Sequence, residues 1–149
     1  MDKSSIAAFG EYDTMMIMEA VREYLKKKDY ILFAYLFGSC ARENSGKFSD
    51  IDIAVYTSDY LHYDDYLDMI KELGDLTGKP VDIVPLNEAP PLLCYQVIQE
   101  GKLLLTKDRE SVTRFIIKTI FMYEDMRPYL DLSYKTMIKQ LKEELQDGF

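Results

Sequence analysis

The chain has 149 residues, of which 48% are hydrophobic, so it has material for one domain with a real core and is not built to stay disordered. Its formal charge of −8 argues against broad electrostatic attraction to nucleic acid or to an anionic membrane. No apolar run approaches a membrane span, the first residues lack a signal-like apolar stretch, and the two cysteines show no metal or redox spacing, so a cytoplasmic protein is expected.

Asp13–Lys28 reads as an amphipathic helix, with Asp13 or Thr14 as its N-cap and Ile17, Ala20, Val21, Tyr24 and Leu25 on one stripe. Tyr30–Phe37 reads as a buried strand ending at Gly38. A Gly38-Ser39 turn should lead into a short helix through Ala41 and Arg42, then a polar loop over Glu43–Ser49. Asp50–Tyr56 alternates polar and apolar residues, as a half-buried strand does. His62–Leu76 reads as a second long helix, ended by Gly78-Lys79-Pro80. Val81–Leu86 is a short strand, and Pro90-Pro91 opens a helix that runs to Glu100 and is capped by Gly101. Lys102–Thr106 is a fourth strand. Beyond Asp108 the pattern is helical over Glu110–Glu124 and again over Leu132–Leu145, with a break expected at Pro128.

This alternation implies an α/β (α+β) fold, a small mixed sheet with flanking helices, followed by C-terminal helices. Residues 1–107 form the expected core and residues 108–149 a helical extension packed on it. The core carries 18 acidic and 11 basic side chains and the extension 8 and 7, so the extension is nearly neutral. It reads equally as a protein-contact surface and as a helix pair closing the core.

The chemistry concentrates in Gly38–Asp52. On a strand, Asp50 and Asp52 share one face, roughly 7 Å apart, while Ile51, Ile53 and Val55 point into a core. Two carboxylates so close repel unless a cation sits between them, and oxygen-only ligands suit Mg²⁺. Asp82 is the one charge within Val81–Leu86. If that strand lies beside Asp50–Tyr56, Asp82 completes a three-carboxylate cluster. Such a cluster beside a Gly-Ser turn, without a usable histidine, points to metal-assisted phosphoryl or nucleotidyl transfer. Gly38 would let the backbone approach phosphates without a β-carbon in the way. Ser39 would offer its hydroxyl and N–H to a phosphate at a helix start. Arg42 would pair with phosphate or remain on the surface, and Lys47 reads as solvated. His62, the lone histidine, reads as a helix-cap or surface residue, and there is no Walker loop or nucleophile elbow.

Gly38-Ser39, ten residues, then Asp50-Ile51-Asp52 resembles the signature of the DNA polymerase β-like nucleotidyltransferases. Leu36-Phe37, Ala41-Arg42, Ser49, Val81–Val84 and Ile98–Leu105 look like its minimal nucleotidyltransferase (MNT) branch. The chain departs from the branch at Glu43, where members often carry Gly. The resemblance implies a nucleotidyltransferase core with Asp50, Asp52 and Asp82 as catalytic metal ligands, Asp82 serving as ligand or general base. It implies Mg²⁺ as cofactor and ATP as substrate. The branch often supplies the antitoxin of a two-protein module, transferring AMP onto a tyrosine of a HEPN ribonuclease toxin. An HEPN toxin is therefore the expected partner. Phe115, Ile116, Tyr123 and Tyr129 are candidate contacts with it. The alternatives are a small-molecule, aminoglycoside-type nucleotidyltransferase and a non-catalytic antitoxin acting by contact.

Overall fold

The computed structural model describes residues 9–38 and 50–147. Helix α1 (Phe9–Lys26) leads into β1 (Ile31–Phe37), and β2 (Ile51–Thr57) follows. Then come α2 (Tyr63–Thr77), β3 (Val81–Pro85), α3 (Pro91–Glu100), β4 (Lys102–Thr106) and α4 (Arg109–Asp147). The strands form one sheet in the order β3-β2-β1-β4. β1 runs antiparallel to both β2 and β4, whereas β2 and β3 are parallel. The mixed α/β architecture expected from the sequence is the one observed.

The sheet is covered on both faces. Val21 and Leu25 of α1 and Met69 and Leu73 of α2 pack on Ile31, Ala34, Ile51, Ile53, Val55 and Ile83. The other face carries Phe33, Tyr35 and Ala54, which meet Cys94 and Val97 of α3 and Val112 and Phe115 of α4. Each fully buried aliphatic or aromatic side chain contributes about 1.5–3 kcal/mol. β2 is therefore not half-buried, as its alternation implies. Past Asp52 its second face continues as Ala54, fully buried, and Tyr56, partly buried. Alternation cannot show this, because Ala and Tyr are as admissible under a helix as in water.

Two boundaries differ from expectation, and His62 lies, as expected, exposed at a helix start. α1 begins at Phe9, so Asp13 and Thr14 lie inside it rather than capping it. A single Asp or Thr inside a helix costs only tenths of a kcal/mol, about 0.7 at most, and does not stop it. His62 holds the N-cap position of α2, but its side chain makes no capping hydrogen bond; its ring stands edge-on to Tyr60. Pro128 does not break the C-terminal helix, and α4 runs as one helix of 39 residues. A proline removes one hydrogen bond and crowds the preceding turn, a local cost that long polar flanks can span.

α4 has two different halves. Its first turns bury Val112, Phe115 and Thr119, and Tyr123 stacks on Tyr95 of α3 with ring centroids 3.6 Å apart. Phe115 is thus core rather than a contact residue, Ile116 packs partly against the same cluster, and Tyr129 is exposed. Beyond Pro128 no residue of α4 is buried, and Leu132, Tyr134, Leu141 and Leu145 lie open. Among the described residues no helix is long and apolar enough to cross a membrane.

Candidate active site

The site lies where β1 and β2 meet at one end of the sheet. Phe37, the last residue of β1, pairs with Asp52 of β2. The chain must then turn at once, and Gly38 does so with φ +74°, a conformation that L side chains rarely adopt. Gly38 has a second reason to be glycine. A β-carbon there would overlap the Asp52 carboxylate, meeting Oδ2 and coming within 3.1 Å of Cγ. The tight turn and the carboxylate fill one shared space.

Asp52 also pairs in register with Asp82 on the parallel strand β3. Residues paired in register point to the same face, and neighbouring strands lie about 4.8 Å apart. The next outward pair is Ala54 and Val84, both against the α3–α4 side. Asp82 therefore stands on the Asp52 face. Asp50 immediately precedes β2 and is exposed. The N–H of Ile51 donates to the Pro80 carbonyl at 2.9 Å, which aligns the starts of β2 and β3.

Electrostatics records this crowding. Partial burial, then the Asp82 charge, then the Asp50 charge push the Asp52 carboxyl above its ordinary range. Like charges on adjacent strands destabilise a sheet, and nothing in the core packing requires them. A bound cation would relieve the repulsion. Among the described residues no three carboxylate, thiol or imidazole groups are already gathered as a finished metal cage. Mg²⁺ needs none, since it usually takes one or two carboxylates and fills its shell with water and substrate phosphates. The donor set, all oxygen and anionic, fits that ion.

Ser39 and Arg42, with Cys40, Lys47 and the short helix expected through Ala41, lie outside the described residues. Cys94 is a free, buried thiol, as the sequence suggests. Two features escape sequence reading. One is the overlap of Gly38 with Asp52. The other is Gly101, which reads as a helix cap but is also a close-packing residue. A β-carbon on Gly101 would strike the Val97 carbonyl oxygen and sit 3.1 Å from that of Leu36. This pins the end of α3 to β1 beside Gly38. A glycine following a helix signals a cap in sequence, and nothing local reveals the strand behind it.

The model of the family "Polymerase beta, Nucleotidyltransferase" matches residues 19–110. Protein adenylyltransferase MntA of Shewanella oneidensis is 33% identical over 111 residues, covering 74% of this chain and 77% of MntA. A chain of the toxin–antitoxin crystal structure with AMP-PNP superposes with a TM-score of 0.65 at 29% identity, covering 87% of this chain and 98% of that one. A chain of the tri-AMPylated Shewanella oneidensis HEPN toxin in complex with MNT antitoxin gives a TM-score of 0.62 at 28% identity, covering 90% and 99%.

Proposed function

The chain belongs to the polymerase β nucleotidyltransferase family, and we propose that it is a protein adenylyltransferase antitoxin, moving AMP from ATP to a tyrosine of an HEPN ribonuclease toxin. One observation carries the reading: Asp52, packed against the Gly38 turn, stands in register with Asp82, in a chain similar over most of its length to an adenylyltransferase. The likeness to chains from complexes with AMP-PNP and with an AMPylated HEPN toxin supports ATP as donor and a toxin as acceptor.

The roles follow from position. Asp50 and Asp52 would hold Mg²⁺, with Asp82 as a third ligand or as the general base for the attacking hydroxyl. Bound there, the ion would neutralise charge on the phosphates and favour the ionised form of the attacking hydroxyl. The tyrosine oxygen bonds to the α-phosphorus, the α–β phosphoanhydride bond breaks, and pyrophosphate leaves. Gly38 keeps the turn tight so that Asp52 has its place and the backbone can approach phosphate. Ser39 would donate to the β- or γ-phosphate, and Arg42 would pair with phosphate through its planar guanidinium. Residues 1–107 are the catalytic core in this reading, and residues 108–149 extend it towards the partner. An acidic chain suits a toxin basic enough to bind RNA, and the cytoplasm is the proposed setting. AMP on the toxin tyrosine adds charge and bulk where RNA phosphate must sit.

Labelled ATP separates the reaction classes. Protein, Mg²⁺, partner toxin and ATP labelled at the α position should give labelled toxin, and ATP labelled at the γ position should not. Label transferred only from the γ position would mean a kinase and refute the proposal.

A further inference from the structure

A cavity lies on the Asp52 face of the sheet, at the other end of α3. The residue pattern Asp52, Ala54, Tyr56 runs along β2, so Tyr56 lies about 13 Å from Asp52 along the strand. The C-terminal end of α3 abuts β1 beside Gly38. Its N-terminal end, through Pro91 and Cys94, lines the cavity. The volume is about 400 Å³, within the range of small-molecule sites.

The lining is specific in chemistry. Tyr56, Leu86, Phe115 and Met122 supply apolar and aromatic walls, and Arg114 and Lys118 of α4 supply two cations. In a chain of net charge −8 with 26 acidic side chains, neither cation makes a contact-distance ion pair among the described residues, and Arg114 is close enough to Asp108 only to help lower that carboxyl. Thr119 also lines the cavity, is 4% exposed, and its hydroxyl takes part in no hydrogen bond among the described residues. α3 begins at Pro91 without a side-chain cap, so its positive end is also uncompensated. No acidic side chain lines the cavity. Burial pushes the Cys94 thiol up, and it stands there as a neutral wall.

We propose that this cavity is a second ligand site, separate from the catalytic carboxylates, for a phosphomonoester carrying a flat apolar body, of nucleoside monophosphate size. Arg114 and Lys118 take the phosphate, Thr119 donates its free hydroxyl, and the ring of the ligand lies against Tyr56 and Phe115. Those two rings already pack on each other with centroids 5.6 Å apart, so the wall is preformed. The proposal does not depend on the reaction assigned to Asp52.

The test is titration of the full chain with AMP, adenosine and inorganic phosphate, followed by NMR shifts of Cys94, Thr119 and Met122. AMP should bind saturably there, more tightly than adenosine or phosphate. The R114Q/K118Q double variant should weaken AMP at least about tenfold, since charge-assisted hydrogen bonds are lost. Both residues are exposed, so this variant should fold. Thr119→Val should weaken AMP with little change in shape, and Asp52→Asn should leave binding at this site unchanged within about twofold. AMP shifts confined to residues around Asp52, absence of saturable binding, equal binding of adenosine, or binding indifferent to R114Q/K118Q would each overturn the proposal.

Discussion

Gly38 and Asp52 compete for one volume: the place where a β-carbon of residue 38 would sit holds the Asp52 carboxylate. The turn that ends β1 and the acid that opens β2 therefore cannot be varied independently. Gly38→Ala should cost about 1–2 kcal/mol through its left-handed backbone alone, and it must also displace Asp52. Nucleotidyl transfer should fall much further than stability does. Thermal melts and initial rates on the same preparation check this.

Asp52→Asn should separate stability from activity. The carboxylate is held beside Asp82 and Asp50 with its charged form disfavoured. Removing the charge should stabilise the metal-free protein at neutral pH by about 0.2–1 kcal/mol, the scale of a like-charge strand pair. Transfer should fall by at least about 100-fold, the scale of losing one electrostatic contact at a reacting phosphate. Added Mg²⁺ should raise the melting temperature of the wild type and not that of the variant. Calorimetry with and without the ion gives the answer.

Asp108 predicts a pH dependence. It precedes α4, where Oδ1 accepts from the Glu110 N–H at 3.2 Å and Oδ2 from the Ser111 hydroxyl at 2.8 Å. The Ser111 hydrogen bond chiefly holds its carboxyl below the ordinary value of 3.8. A depressed folded-state pKa gives stability that is complete above the unfolded value and lost as pH falls through the folded one. Asp108→Ala should thus lower the melting temperature by a constant amount at pH 5–8, and the gap should close below about pH 3.8.

Pro128 and the exposed end of α4 predict a local effect. No residue beyond Pro128 in α4 is buried, so truncation after Arg127 should leave the melting temperature of the core nearly unchanged. Pro128→Ala should raise helical circular dichroism, relieving a cost of up to about 3 kcal/mol, without moving the core transition. Loss of toxin binding on truncation would place the partner on this segment; a large fall in core stability would contradict the description of α4.

The legible parts of this molecule were those with local chemistry. Asp-x-Asp on an alternating strand, a lone Asp in the next strand and a Gly-Ser turn need only short-range patterns, and the register of Asp52 with Asp82 agrees with them. What stayed hidden depends on packing between distant segments. Ala54 and Tyr56 do not announce a second helical layer. Phe115 looks the same as a core residue and as a docking residue until α4 is laid on the sheet. Pro128 reads as a stop, because its local penalty is visible in sequence and the compensating helix on both sides is not.

The central claim is AMP transfer to a partner protein, and intact mass spectrometry of that partner tests it most directly. This protein, ATP and Mg²⁺ should be mixed with an HEPN ribonuclease toxin of the proposed kind, with RNase activity measured in the same samples. A mass gain of one or more AMP units on a toxin tyrosine is expected, with loss of RNase activity, both abolished by Asp52→Asn. Inhibition that needs no ATP and survives Asp52→Asn, with no change in toxin mass, would contradict the claim.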